Sequence, residues 1–151
     1  MTKDRFWEII EASRVAFDPK DIEASQRQQV GRLRELLEAL PAEEVRSYAE
    51  HFAEHMDEAY SEPNRIVDME PMDGLWAVAF NMGGGCGHDS FDDFRSWLIS
   101  MGRAAYEAAL RDPETVYHLV EPAGDLADVV FFEEFQYIPW QVLREKTGED
   151  D

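Results

Sequence analysis

Residues 81–94 read NMGGGCGHDSFDDF, and within them Cys86, His88, Asp89 and Asp92 gather a thiol, an imidazole and two carboxylates into seven residues. Side chains of these types ligate metals, and a cysteine beside a histidine can act as nucleophile and base. The glycines Gly83, Gly84, Gly85 and Gly87, ahead of a helical segment, could also hold an anion on free amide groups. The spacing opposes each chemistry in turn. A phosphate cradle lacks the Lys-Ser or Lys-Thr pair after the glycines, and Asp89, Asp92 and Asp93 already crowd the helix start. Ser90 and Asp93 stand three apart, the spacing of a capping box that satisfies the orphan amides from within. A tetrahedral zinc site needs ligands borrowed from elsewhere, and the carboxylate spacing matches no calcium loop. Cys86 and His88 are too close in sequence to face each other without strained backbone, and a distant base such as His118 stays open. The plain reading is a helix, capped by Gly83, that turns through glycines into a second capped helix. The missing side chains let another backbone or a small ligand come close. The candidate binding residues are Gly85, Cys86, His88, Asp89, Asp92, Arg95 and Trp97; no catalytic residue, metal or cofactor is assigned.

A second motif, HFAEH at residues 51–55, matches the H-x-x-E-H pattern of inverted zinc proteases. On a helical wheel the apolar stripe centres on Ala49, Phe52 and Met56, which leaves His51 and His55 on its flank and Glu54 nearly opposite. A hydrolytic zinc also needs a third ligand and a dry cleft. The motif therefore reads as a solvated helix edge. No serine stands in a nucleophile elbow, and no acid/base pair stands out among so many carboxylates.

Helices must position these groups. Thr2 can cap a first helix carrying Phe6, Ile9, Ile10 and Phe17. Asp18 and Pro19 open a second, with Ile22, Val30, Leu33, Leu36, Leu37 and Leu40 on one stripe. Pro41 ends it and starts a third, where Val45, Tyr48, Ala49, Phe52, Met56 and Tyr60 share a face. Residues 61–73 form an irregular connector with Pro63 and Pro71 and a short extended piece at RIVDM. LWAVAF is helical by its context. One long helix follows, with Phe91, Phe94, Leu98, Met101, Ala105 and Ala109 in register and a kink at Gly102. Asp112 and Pro113 repeat the Asp-Pro opening, EPAGDLAD is a loop, and a last helix from Val130 to Lys146 carries Phe131, Phe135, Ile138 and Val142, bent at Pro139. The expectation is an all-α domain spanning residues 1–151, a bundle of about seven helices with the tryptophans mostly in its core.

Composition bounds what such a bundle can do. An apolar share of 44% with 12% aromatic residues, in 151 residues, is enough for one packed core. A single cysteine allows no internal disulfide, and no apolar run reaches the ~20 residues of a membrane span, so the chain reads as cytoplasmic. The net charge is −19, and from Ser47 to Phe94 Arg65 is the sole Lys or Arg against eleven acids. Such a potential repels phosphate backbones and anionic lipid, which excludes nucleic acid and membrane surfaces as partners.

The segments FWEII, LWAVAFNMGGGCGHDSFDDFRSWLISMGRAAYEAALRDPE and FEEFQYIPWQVLREKTG resemble a bacterial family of uncharacterised domains, domain of unknown function 4240. The resemblance implies a small helical domain, free-standing or joined to other modules, with no established activity and no catalytic residues to carry over. It places emphasis on Cys86, Asp89, Phe91, Phe94, Arg95, Trp97 and Gly102. Family members carry an acidic pair and a glycine after the cysteine, where this chain reads Gly87, His88, Asp89 and Ser90. Arg95, one turn into an acidic helix start, is placed to pair locally and fix the turn. The expected role is a non-enzymatic interaction domain that neutralises a basic protein partner, as an immunity protein does, through acidic faces at Glu50–Glu62 and Asp112–Glu134. The alternative is a small-molecule or metal-dependent site at the glycine turn, residues 83–89.

Overall fold

The computed structural model describes residues 1–120 and 126–148. In chain order its elements are α1 (Lys3–Ser13), α2 (Ile22–Glu38), α3 (Ala42–Glu58), β1 (Ile66–Val67), β2 (Glu70–Pro71), α4 (Gly74–Gly83), α5 (His88–Ser100), α6 (Arg103–Arg111), a 3-10 helix (Pro113–His118), α7 (Ala127–Val130) and α8 (Glu133–Thr147). The fold is all-α: among the described residues there are eight α-helices and one antiparallel hairpin, pairing Ile66 with Pro71 and Val67 with Glu70. No described helix is long and apolar enough to cross a membrane.

Local chemistry accounts for most helix starts, though several begin later than their sequence signals. Thr2 accepts the Arg5 amide at 3.1 Å and opens α1, which buries Phe6, Trp7, Ile9 and Ile10. This helix stops at Ser13, short of Phe17, whose ring lies 4.2 Å beneath the Arg14 guanidinium. Asp18 does not cap α2. Its carboxylate accepts the Lys20 amide inside a turn, and Asp21 caps instead by accepting from the Ala24 amide at 3.3 Å. The residue before a proline avoids helical dihedrals, so Asp18-Pro19 makes a turn and the helix waits for the next aspartate. α3 ends at Glu58 and leaves Tyr60 beyond it. Asp112 caps as expected, accepting from Glu114 at 3.2 Å, but the element it opens is the 3-10 helix.

The long helix expected after the glycines is two. Gly102 adopts φ 100° and ψ 169°, which ends α5 and starts α6 rather than bending one rod. The last element also divides, since α7 ends at Val130 and α8 starts at Glu133; Phe131 lies between them. α8 runs through Pro139, which offers no amide to the Phe135 carbonyl. Of the loop expected at EPAGDLAD, residues 121–125 lie outside the described residues, and Ala127 and Asp128 belong to α7.

α5 is the hub, packing against α1, α3, α4, α6, α7 and α8. It buries Phe91, Phe94, Trp97, Leu98 and Ile99, and each fully buried side chain of this kind contributes about 1.5–3 kcal/mol. Polar stitching fixes its far end. Gln29 of α2 donates to Ser13 Oγ at 3.2 Å and to the Ser100 carbonyl at 2.9 Å, tying α1, α2 and α5 together. Trp7, Trp76 and Trp97 are buried, Trp97 with one edge reaching a cavity; Trp140 is half-buried in α8.

Candidate functional site

The glycine turn is built by a left-handed cap. Gly84, not Gly83, ends α4 at φ 71°, and the Gly85 amide reaches back to the Phe80 carbonyl at 2.9 Å. Gly83 has a different constraint: a Cβ there would sit 2.3 Å from Phe131 Cζ, so the missing side chain lets α4 and the end of α7 close up. The chain then turns through Gly85, at φ 129°, to Cys86, whose carbonyl accepts the Trp76 indole N–H at 2.7 Å. α5 begins at His88 with Gly87 as its cap. The Ser90–Asp93 capping box does not form, because Ser90 already lies inside the helix. Asp93 instead accepts from Gln136 of α8 at 2.9 Å, and its carbonyl takes the Phe132 amide at 3.2 Å. A tertiary partner has claimed the side chain that the local pattern reserved for capping.

Cys86, Gly87 and His88 form one wall of a groove of ≈ 290 Å³. The opposite wall comes from the connector and its hairpin: Glu62, Pro63, Ile66, Met69 and Pro71, with Trp76 at the floor. The His88 ring meets Trp76 edge-on at 4.8 Å. Of the predicted residues, only Cys86 and His88 enter this groove. Gly85 faces open space, and Asp89 is exposed on the first turn of α5. Arg95 lies buried beside the groove, paired to Asp92, with Nη1 donating to the Met56 carbonyl at 2.6 Å and its guanidinium 4.9 Å from the Phe91 ring. Trp97, further along α5, lines a separate cavity. The hairpin residues were missed by sequence reasoning. Their signal was available: Ile66, Val67, Met69 and Met72 are apolar, belong to no helical stripe, and are interleaved with Glu62, Asp68, Glu70 and Asp73.

The electrostatics do not favour covalent chemistry here. Burial pushes the Cys86 thiol up to about 12, with the Asp93 carboxylate adding and Arg95 opposing, so the sulfur stays protonated and weakly nucleophilic at neutral pH. Among the described residues no three His, Cys, Asp or Glu side chains converge to hold a metal ion. The HFAEH helix edge is solvated at Glu54 and in part at His51, but not at His55. His55 is 3% exposed, stacked on Phe6 at 4.9 Å and edge-on to Trp7 at 5.0 Å. Its Nδ1 bonds the His51 carbonyl at 2.6 Å; a carbonyl only accepts, so Nδ1 carries the proton and Nε2 is left buried without a partner. Burial lowers the His55 pKa from its ordinary value, the His51 bond opposing, and holds the ring neutral. His51 turns elsewhere, with Nε2 2.9 Å from the Met1 carbonyl. The two rings therefore share no ion. The error lay in the width of the stripe, which the Phe6–Trp7 face of α1 extends to cover His55.

Asp93 makes a measurable link between this site and stability. Burial pushes its carboxyl up to about 6 and Glu133 adds, while the Gln136 bond opposes. The folded chain therefore holds this proton more tightly than the unfolded chain, whose value is 3.8. Ionised Asp93 destabilises the fold above pH 6, and the penalty fades as pH falls toward 4. Asp93→Asn keeps an acceptor for Gln136 and removes the charge. Its unfolding free energy should exceed the wild type's by about 1 kcal/mol at pH 7.5, a figure discounted for the side chain's partial solvation. Urea unfolding at pH 7.5 and at pH 4 checks this, with the advantage expected to vanish at the lower pH.

Residues 1–145 match the family described as Protein of unknown function (DUF4240). The chain belongs to that family. The match takes in the hairpin, the glycine turn and the buried Arg95 alike, so all the elements of the groove lie within the DUF4240 domain. No curated protein and no solved structure matches the chain.

Proposed function

We propose that this chain is a protein-binding domain whose docking face is the acidic hairpin and its groove, and that its partner is basic. The carrying observation is where apolar surface is left uncovered. Among the described residues, Tyr60, Ile66, Val67, Met69 and Met72 are all exposed within one thirteen-residue stretch, Met69 at 90%. Clustered apolar exposure with a polar rim marks an interaction surface. The rim here is Glu62, Asp68, Glu70 and Asp73, in the part of the chain where Arg65 stands alone against eleven acids, so the complementary partner carries Lys and Arg around an apolar anchor.

The backbone supports the same reading. Asp68 and Met69 hold φ of 50° and 67°, the positive values a two-residue hairpin turn demands and which glycine or asparagine would meet at less cost. A methionine held in that conformation at 90% exposure contributes little packing to the fold. Its use is to be presented. The specific form of the proposal is an immunity-like protein that neutralises a basic, toxin-like partner. Use of residues 83–89 as a catalytic turn is less well supported, since the Cys86 thiol is held protonated.

Affinity capture of basic proteins with the wild type, and with Ile66→Asp plus Met69→Asp, tests the reading. Both positions are exposed, so folding should be unchanged. The double variant should weaken capture by about 30-fold, as loss of an apolar anchor does, and wild-type binding should fall with salt. Equal capture by both proteins, or a captured set with no basic member, would sink it.

A further inference from the structure

A second concave site shares no described residue with the docking groove, and its described charged side chains are basic rather than acidic. It is a cavity of ≈ 650 Å³, within the ~300–1,000 Å³ range of small-molecule sites. It lies between the end of α1, the turn into α2, the last turns of α5, the end of the 3-10 helix, and α7. Phe17, Ile22, Trp97, Leu126 and Val129 supply apolar wall, and Arg14, Lys20 and His118 supply the polar groups. No carboxylate lines it among the described residues, in a chain with 33 acids against 14 Lys and Arg.

Arg14 carries the argument further. It is half-buried, its Nη1 donating to the Ser100 carbonyl at 3.3 Å and lying 3.4 Å from Met101 Sδ, with its guanidinium over the Phe17 ring. Those contacts aim the fork and hold it against the cavity wall, yet it makes no ion pair with any described carboxylate. Burying part of a cation is costly unless acceptors meet it, and the Ser100 carbonyl and Met101 Sδ engage only Nη1 of the fork. A planar guanidinium in an apolar recess matches one ligand chemistry above others, a carboxylate bound through paired N–H donors with an apolar body behind it. Lys20 lies at the same cavity and adds to the attraction, and His118 also lines it.

We propose that this cavity binds a small organic monocarboxylate, its anionic end on Arg14 and its apolar body against Phe17, Trp97, Leu126 and Val129. The site is independent of the docking face, and a single chain can carry both.

The test uses the full chain with sodium octanoate, 1-octanol and octylamine as probes, by calorimetry and by amide NMR shifts. Octanoate should bind one-to-one, shift the amides of Phe17, Met101 and Val129, and bind at least about tenfold tighter than octanol, the worth of one charge-assisted bond. Arg14→Gln should weaken octanoate about tenfold and leave octanol unchanged, while Arg14→Lys should recover part of the loss. Lys20→Gln, at an exposed position that cannot threaten folding, should weaken octanoate by about threefold. Equal affinity for octanoate and octanol, preference for octylamine, shifts at other residues, no effect of Arg14→Gln and Lys20→Gln, or no saturable binding below about 10 mM octanoate would each overturn the proposal.

Discussion

Replacing Arg95 by alanine is expected to lower the unfolding free energy by about 3–4 kcal/mol. The guanidinium is 5% exposed and makes three kinds of contact at once. It donates to the Met56 carbonyl in the last turn of α3 and to the Phe91 carbonyl one turn back in α5, at 2.6 and 3.3 Å, and it pairs with Asp92. It also lies 4.9 Å from the Phe91 ring and 5.2 Å from the Tyr60 ring. Asp92 is half exposed, so the ion pair itself contributes little. Most of the loss comes from the Met56 carbonyl left without its tertiary donor and from the void beneath two aromatic rings. Arg95→Lys keeps the charge without the fork and should recover less than half. Because Tyr60 leads into the connector, Arg95→Ala should also weaken binding of a basic partner at the hairpin. Urea unfolding of the three proteins checks the first claim, and a loss below about 1 kcal/mol for alanine would mean that the buried bonds carry little.

Gly102→Ala should cost about 2–3 kcal/mol, and for a reason that involves no crowding. A Cβ at this position would find only the Glu11 side chain, at 3.7 Å, an ordinary contact. The cost lies in the backbone, because φ 100° with ψ 169° is open to glycine and almost nothing else. Two elements depend on it. The Gly102 amide closes α5 on the Ile99 carbonyl at 3.1 Å, and its own carbonyl receives the Tyr106 amide at 3.0 Å to start α6. Gly87→Ala is the matched control, since Gly87 has φ −82° and open space; as the cap of α5 it should lose only about 0.5–1 kcal/mol. Denaturant midpoints of the two variants, measured together, separate the backbone effect from the general cost of removing a glycine. Equal midpoints would refute the assignment.

Family membership and the all-α class were legible in the residues themselves, because both rest on short-range patterns. Phe6, Ile9 and Ile10, or Leu33 and Leu37, fall on one side of a helix whatever the rest of the chain does, and Thr2 needs only its own backbone to cap. Residues FWEII, the glycine turn and FEEFQYIPWQVLREKTG carried the family likeness directly. The misplacements share a cause. Ser90 with Asp93 has the form of a capping box, but Gln136, 43 residues further on, takes the aspartate. Gly83 has the form of a cap, yet it is kept small by Phe131. His55 sits on the flank of its own helix and is buried by the face of another.

The candidate site depended most on tertiary structure, since exposure is decided by whatever packs from elsewhere. In the sequence, Ile66, Met69 and Met72 stand out only as apolar residues outside any helical stripe; the fold shows that they are exposed and that Trp76, Cys86 and His88 stand across from Ile66 and Met69. The same holds for Arg14. Its charge is evident in the sequence, whereas the cavity beside it, which no described carboxylate lines, exists only once α1, α5 and α7 have come together. Helical periodicity is a property of neighbours along the chain, and burial, pairing and concavity are properties of neighbours in space.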